Sequence, residues 1–174
     1  MGYNPKIHHR RSIRLPGFDY AQPGEYFITL CSYNRLSFFG IVREGVVDLN
    51  WIGKTVEKEW TKTSQIRSNV ELDAFVVMPD HFHAILRICG RGGTLRQGEW
   101  RFAPTMSTPF RSPSKTVGSI VRGFKSATTK RVNLERGSPG LPLWQRNYYE
   151  HIIRDEADLV RIRDYIRFNA SQIR

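Results

Sequence analysis

The chain predicts an α+β sandwich of the ferredoxin-like, RRM-like kind, an antiparallel sheet with helices on one face and a further helix at the C-terminus. Three observations carry this. The apolar pattern runs strand, helix, strand, strand, helix, strand, helix; the central strands 70–78 and 81–89 are separated only by Pro79 and Asp80; and 174 residues suffice for one packed domain.

The elements follow in order. After a basic arm (1–14) and the loop LPGFDYAQPGE, YFITLCSYN (26–34) is β-branched and aromatic and reads as the first strand. GIVREGVVDLN (40–50) suits one or two short accessory strands. WIGKTVEKEWTKTSQIR (51–67) spaces Trp51, Val56 and Trp60 among charged residues, as a surface helix does. VELDAFVVM (70–78) and HFHAILRIC (81–89) form a hairpin around the Pro79–Asp80 turn. Residues 90–114 are rich in Gly, Pro, Ser and Thr and show no period; there Arg91, Arg96, Arg101 and Arg111 interleave with Trp100, Phe102 and Phe110, which suits either a solvated loop or a segment that grips phosphates and stacks bases. TVGSIVRGFKSATTKRVNLE (116–135) repeats apolar residues at 117, 120, 121 and 124 and carries Arg122, Lys125, Lys130 and Arg131 on its other faces, a basic amphipathic helix. LWQRNYYEHIIR (143–154) reads as a strand with an irregular start, and Asp155 is placed to cap a last helix over 156–170.

Charge points to a polyanionic partner. The formal net charge is +11, and it is uneven: residues 1–14 hold four Lys/Arg and no acid, 15–110 balance ten against ten, and 111–174 hold thirteen against six. Basic charge concentrated at both ends favours nucleic acid. Cys31 and Cys89 stand alone in apolar strands, without the pairing of a zinc site or a disulfide scaffold, and read as reduced thiols of a cytoplasmic protein. No run approaches the ~20 apolar residues of a membrane span, so no membrane partner is expected.

The chemistry centres on VVMPDHFHAIL (76–86). In a strand, His81 and His83 project to one face while Phe82 enters the other, a chelating arrangement, although such a pair is more often two hydrogen-bonded histidines than a metal site. On the last helix, Leu159, Ile162, Ile166 and Ala170 form an apolar stripe, with Tyr165 and Asn169 stacked one turn apart at its edge. If that helix lies over the face bearing the histidines, two ring nitrogens and an amide oxygen can hold a divalent cation and leave positions open. Tyr165 also suits an ordinary core-edge tyrosine and Asn169 an ordinary helix end; Tyr148, Tyr149 and His151 compete for the chemical roles.

Taken together and in this order, VVMPDHFHAIL, SIVRGFKSATTKRVN and LWQRNYYEHIIRDEADLVRIRDYIRFN, with RSIRLPGFDYAQPGEYFITLCSYNR before them, closely resemble the REP-associated tyrosine transposases, a branch of the single-tyrosine HUH endonucleases. The resemblance implies a bacterial, cytoplasmic enzyme in which His81 and His83 bind metal, Asn169 supplies the third ligand, and Tyr165 is the nucleophile. It implies Mg²⁺ or Mn²⁺; two imidazoles suit the softer Mn²⁺, while Mg²⁺ is the abundant cellular ion. The implied substrate is single-stranded DNA folded into repetitive extragenic palindrome (REP) hairpins. From the charge pattern, Arg122 and Lys125 on the basic helix and Arg10 and Arg11 on the N-terminal arm are the candidate backbone contacts. Where members often place proline after the ligand asparagine, this chain has Ala170, which would let the helix continue. Monomer and dimer both remain open, and so do two rivals: a non-catalytic RRM-like RNA-binding module and a metal-dependent phosphodiesterase that uses water.

Overall fold

The computed structural model describes residues 18–90 and 115–169. The basic arm with Arg10 and Arg11, the Arg-rich segment after Gly90, and Ala170 lie outside them.

The expected succession is present: β1 (Gly24–Cys31), a short 3-10 turn (Tyr33–Arg35), β2 (Gly40–Arg43), β3 (Val46–Leu49), α1 (Trp51–Ile66), β4 (Val70–Val77), β5 (His81–Ile88), α2 (Val117–Glu135), β6 (Tyr149–Ile153) and α3 (Glu156–Phe168). The four long strands form one antiparallel sheet in the order β4-β5-β1-β6, the split βαβ arrangement of a ferredoxin-like fold. β2 and β3 make a separate ribbon whose turn residues, Glu44 and Gly45, both have positive φ, as the tight hairpin turns matching strand twist require.

Strand alternation gives the sheet two apolar faces. On one, Tyr26, Ile28 and Leu30 of β1 join Phe82, Ala84 and Leu86 of β5 beneath α1 and α2. Trp60 of α1 locks this layer, its ring set edge-on to Phe82 and to Phe124 of α2 at 5.1 Å from each. Asn50 caps α1 by accepting from the N–H groups of Ile52 and Gly53. Gly53 itself is required, because a Cβ there would lie 2.1 Å from the Phe39 carbonyl oxygen.

On the opposite face, Phe27, Ile85 and Ile153 meet Leu159, Ile162 and Ile166 of α3. Asp155 caps α3, accepting from Asp158 N–H at 2.8 Å. Burying three branched side chains, at roughly 1.5–3 kcal/mol each, is what fixes α3 to the sheet. A register shift between Leu72 and Phe75 inserts an extra residue into β4, and there Asp73 accepts from the Arg163 guanidinium on α3, with Nε–Oδ2 at 3.1 Å and Nη2–Oδ2 at 2.5 Å. Burial alone would raise the Asp73 carboxyl, but Arg163 outweighs it and holds the group below the ordinary carboxylate range. A half-exposed pair of this kind adds little stability; its consequence is geometric, because it sets where along the sheet the helix sits.

α3 ends at Phe168 with Asn169 as its C-cap, short of the expected residue 170. β1 stops at Cys31 rather than 34 because the chain turns sharply through Tyr33–Arg35. Among the described residues no helix is long and apolar enough to cross a membrane, and both cysteines are free.

Candidate active site

His81, Phe82 and His83 open β5, so strand alternation sends Phe82 into the α1–α2 core and both imidazoles to the α3 face. Their ring centroids are 4.6 Å apart. The antiparallel register sets Thr29 opposite His83, and the Thr29 hydroxyl meets His83 Nδ1 at 2.8 Å. Asp80, the last residue of the hairpin turn, places Oδ1 2.6 Å from His81 Nδ1. Each ring thus has an oxygen partner at Nδ1; the Asp80 carboxylate can only accept, which puts a proton on His81 Nδ1, while the Thr29 hydroxyl can donate to or accept from His83. Carboxylate or hydroxyl partners at the far nitrogen are how metal-binding histidines are oriented.

His83 is only 4% exposed. Burial first, then the positive charges of His81 and Arg35, push its pKa down to about 3, so the ring is neutral at any physiological pH. Phe27 stacks on it with centroids 5.4 Å apart.

α3 lies across this face, and Tyr165 reaches His83: the hydroxyl is 3.1 Å from Nε2, and its ring meets Phe27 edge-on at 6.1 Å. The tyrosine is 40% exposed, which leaves its oxygen open to a large substrate. Going from Arg163, opposite Asp73, to Tyr165, opposite His83, the helix advances toward the hairpin turn, the end of the sheet where His81 stands. Asn169, one turn further, is buried, and among the described residues no hydrogen bond occupies its side-chain amide.

Two competitors are engaged elsewhere: Tyr148 donates its hydroxyl to Glu150 at 2.7 Å, and His151 Nε2 is 2.7 Å from Asp158. Tyr149 stays near the site, opposite Thr29 and beside Phe27 with centroids 6.3 Å apart, while it is the Tyr165 hydroxyl that lies 3.1 Å from His83.

A cation fits this donor set. Two imidazoles oriented through Nδ1, with the Asn169 amide on the helix that carries Tyr165, would make an incomplete coordination sphere. Among the described residues no three His, Cys, Asp or Glu side chains converge as a metal cluster; the carboxylate beside the pair is Asp80, 2.6 Å from His81 Nδ1.

The basic candidates fare differently. Arg122 is exposed on the outer face of α2. Lys125 folds inward instead: its ammonium donates to the Gln145 carbonyl and reaches those of Arg146 and Asn147 at 3.4 Å, and burial brings its pKa down to about 8. Both line a groove of about 660 Å³ between α2 and residues 142–148, where Arg122, Lys125, Lys130 and Arg146 surround Trp144 and Tyr148 with no acidic side chain among the lining residues. Arg131, by contrast, is committed to Glu59 of α1 at 2.8 Å. Thr29, Asp80 and the Asp73–Arg163 brace escape a sequence reading. Only Asp80 carried a signal, as the residue directly before His81.

No protein-family model matches the chain. It is 40% identical over 167 residues to an uncharacterized protein of Haemophilus influenzae, covering 96% of this chain and 91% of that one. The structure resembles that of a REP-associated tyrosine transposase bound to a REP hairpin, with a TM-score of 0.59 and 20% identity over 92% of this chain and 72% of the other; the two share a fold. A candidate transposase from Deinococcus radiodurans stands at a TM-score of 0.49 with 19% identity, too distant to bear on the fold.

Proposed function

The chain belongs to the same family as the Haemophilus influenzae protein, and from its own site and the fold it shares with the hairpin-bound transposase we propose that it is a metal-dependent single-strand DNA endonuclease and transposase acting on REP-type hairpins. The observation that carries this reading is the 3.1 Å contact between Tyr165 and His83 on the face where both histidines project.

The Tyr165 hydroxyl gives up its proton to solvent as its oxygen attacks a DNA phosphorus; the bond from phosphorus to the 3′ oxygen breaks, that oxygen takes up a proton from solvent as a 3′-OH, and the 5′ side is held as a phosphotyrosine. The ester bond is conserved, so the strand can later be rejoined. Free tyrosine titrates near ~10, so the step needs electrostatic help. A bound Mn²⁺ or Mg²⁺, held by His81, His83 and Asn169, would polarise the phosphate and stabilise charge on the leaving oxygen. Were a cation to take the His83 Nε2 lone pair, it would replace the contact from the Tyr165 hydroxyl, and His83 would serve as ligand rather than base. Asp80 and Thr29 keep the rings oriented, and the Asp73–Arg163 brace keeps Tyr165 in register.

That brace yields an expected result. Asp73→Asn retains the side-chain size and removes the charge, so hairpin binding persists and the melting temperature moves by a few degrees at most, while cleavage falls roughly 10- to 100-fold because the nucleophile is misplaced. Single-turnover cleavage beside a melting curve checks it; equal losses of binding and cleavage would make the brace merely structural.

The charge distribution carries a second. Binding to a hairpin with a single-stranded flank should weaken steeply between about 50 and 200 mM salt, and Arg122→Ala should lower the salt slope by about one phosphate contact. Arg10 and Arg11 are candidates for the same role, and Lys125 would contribute only by releasing its carbonyl partners. A flat response in a salt titration would contradict the polyanion argument.

One rival is disfavoured by packing. An RRM-like module binds RNA on an open sheet face, whereas here α1 and α2 cover one face and α3 the other, leaving Phe27 only 8% exposed. The water-using phosphodiesterase is separated by a covalent adduct, which it never forms.

A further inference from the structure

We infer that Arg35 is a phosphate clamp that binds the DNA phosphodiester next to the one Tyr165 attacks, fixing the register of the strand; the inference rests on the reading of Tyr165 as nucleophile and concerns a residue outside that machinery.

Arg35 closes the tight turn that follows β1. Ser32 N–H donates to the Asp80 carbonyl at 2.9 Å, Tyr33 N–H to the Leu143 carbonyl at 2.9 Å, and the Ser32 hydroxyl to the Leu36 carbonyl at 2.7 Å. Within this frame Asn34 and Arg35 take φ of 55° and 56°. Asparagine tolerates the left-handed region; an arginine there is held against its own Cβ, and glycine would fit more easily. The turn thus fixes where the Arg35 side chain leaves the backbone.

That place is the edge of the histidine pair. Arg35 Nη1 lies 3.6 Å from Asp80 Oδ2, while the other oxygen of the same carboxylate takes His81 Nδ1 at 2.6 Å. The Arg35 side chain is 57% exposed, so the pair adds little to stability and leaves most of the guanidinium donors facing outward. One carboxylate therefore joins Arg35 to His81 and brings the guanidinium to the edge of the histidine pair.

Arg35 also marks the way to the basic groove. The groove wall is hydrogen-bonded to the end of β1, through Tyr33 N–H to the Leu143 carbonyl and Gln145 N–H to the Cys31 carbonyl at 2.9 Å, and Ser32 bridges Trp144. The turn that carries Arg35 is thus bonded on one side to the hairpin turn before His81 and on the other to the groove wall, so a strand spanning the two would cross it. A planar guanidinium at such a crossing binds a phosphate through two parallel hydrogen bonds.

The test is read in binding, with Tyr165→Phe protein to keep the DNA uncut, so its failure is separate from any failure of the nucleophile assignment, which is read as a covalent adduct of the wild type. Each phosphate of the single-stranded flank is replaced singly by a neutral methylphosphonate. One replacement beside the cleaved position should weaken binding roughly tenfold, the scale of a charge-assisted contact. Adding Arg35→Ala should weaken unmodified DNA by the same factor and make that one methylphosphonate cost nothing more, while Arg35→Lys falls between. Arg35→Gly, which suits the positive φ, should melt no lower than its parent and show the same binding loss, separating a clamp from a fold defect. Losses that add at every position, or Arg35→Ala binding as tightly as its parent, would leave Arg35 a partner of Asp80 only and overturn the inference.

Discussion

Tyr165→Phe is expected to abolish DNA cleavage, by at least roughly 10³-fold, while folding and hairpin affinity survive, because a nucleophile that forms the covalent bond has no substitute in the site. The ring meets Phe27 and His83 edge-on and phenylalanine keeps both contacts. Only one hydrogen bond, from a hydroxyl on a 40% exposed residue, is lost, at a cost of about 1 kcal/mol. α3 stays in place, since Leu159, Ile162 and Ile166 hold it. Tyr148→Phe loses a bond to Glu150, and Tyr149→Phe loses a hydroxyl without a role; both should cleave. Denaturing gels of cleavage and adduct beside melting curves check the set. Cleavage by Tyr165→Phe would remove the nucleophile assignment.

Replacing the histidines should have an effect of similar size, and the two positions should differ in stability. His81 is half-buried and tied to Asp80, so His81→Ala should melt close to the wild type, lose cleavage by at least roughly 10³-fold, and keep hairpin affinity within about threefold, since phosphate contacts from basic side chains dominate it. His83 is enclosed by Thr29, Phe27 and Tyr165; His83→Ala strips a partner from two hydroxyls and opens a void, at a cost of about 1–3 kcal/mol. His81→Ala is therefore the cleaner variant. Were it to lose binding and stability in step with cleavage, the histidines would be structural.

The frame of the molecule was legible because each element announces itself locally. The hairpin expected at 70–78 and 81–89 is Val70–Val77 and His81–Ile88, and the basic helix expected at 116–135 is Val117–Glu135. Period-two alternation sent both histidines to one face, and the stripe of α3 set Tyr165 and Asn169 at its edge. What the chain could not announce is long-range. Thr29 is a partner of His83 only through the β1–β5 register, and Asp73 faces Arg163 only because β4 carries an extra residue. Pro79–Asp80 reads as a turn, and that Asp80 also grips His81 depends on side-chain placement. β1 ended early because the positive φ angles at Asn34 and Arg35 leave no mark in strand propensity. Helical spacing put Lys125 on a basic face, and it could not show the ammonium folding back onto the 145–147 carbonyls.

The central claim, that Tyr165 becomes covalently joined to DNA in a cation-dependent step, is tested most directly by digesting the adduct formed with a hairpin bearing a single-stranded flank in Mn²⁺ and locating the DNA by peptide mass. Trypsin releases Asp164–Arg167 with Tyr165, and Asn147–Arg154 with Tyr148 and Tyr149. The nucleotide mass should sit on the Asp164–Arg167 peptide, linked through a 5′ phosphate, and chelating the cation should prevent it. Nucleotide mass on the Asn147–Arg154 peptide, or cleaved DNA with no protein attached, would contradict the claim.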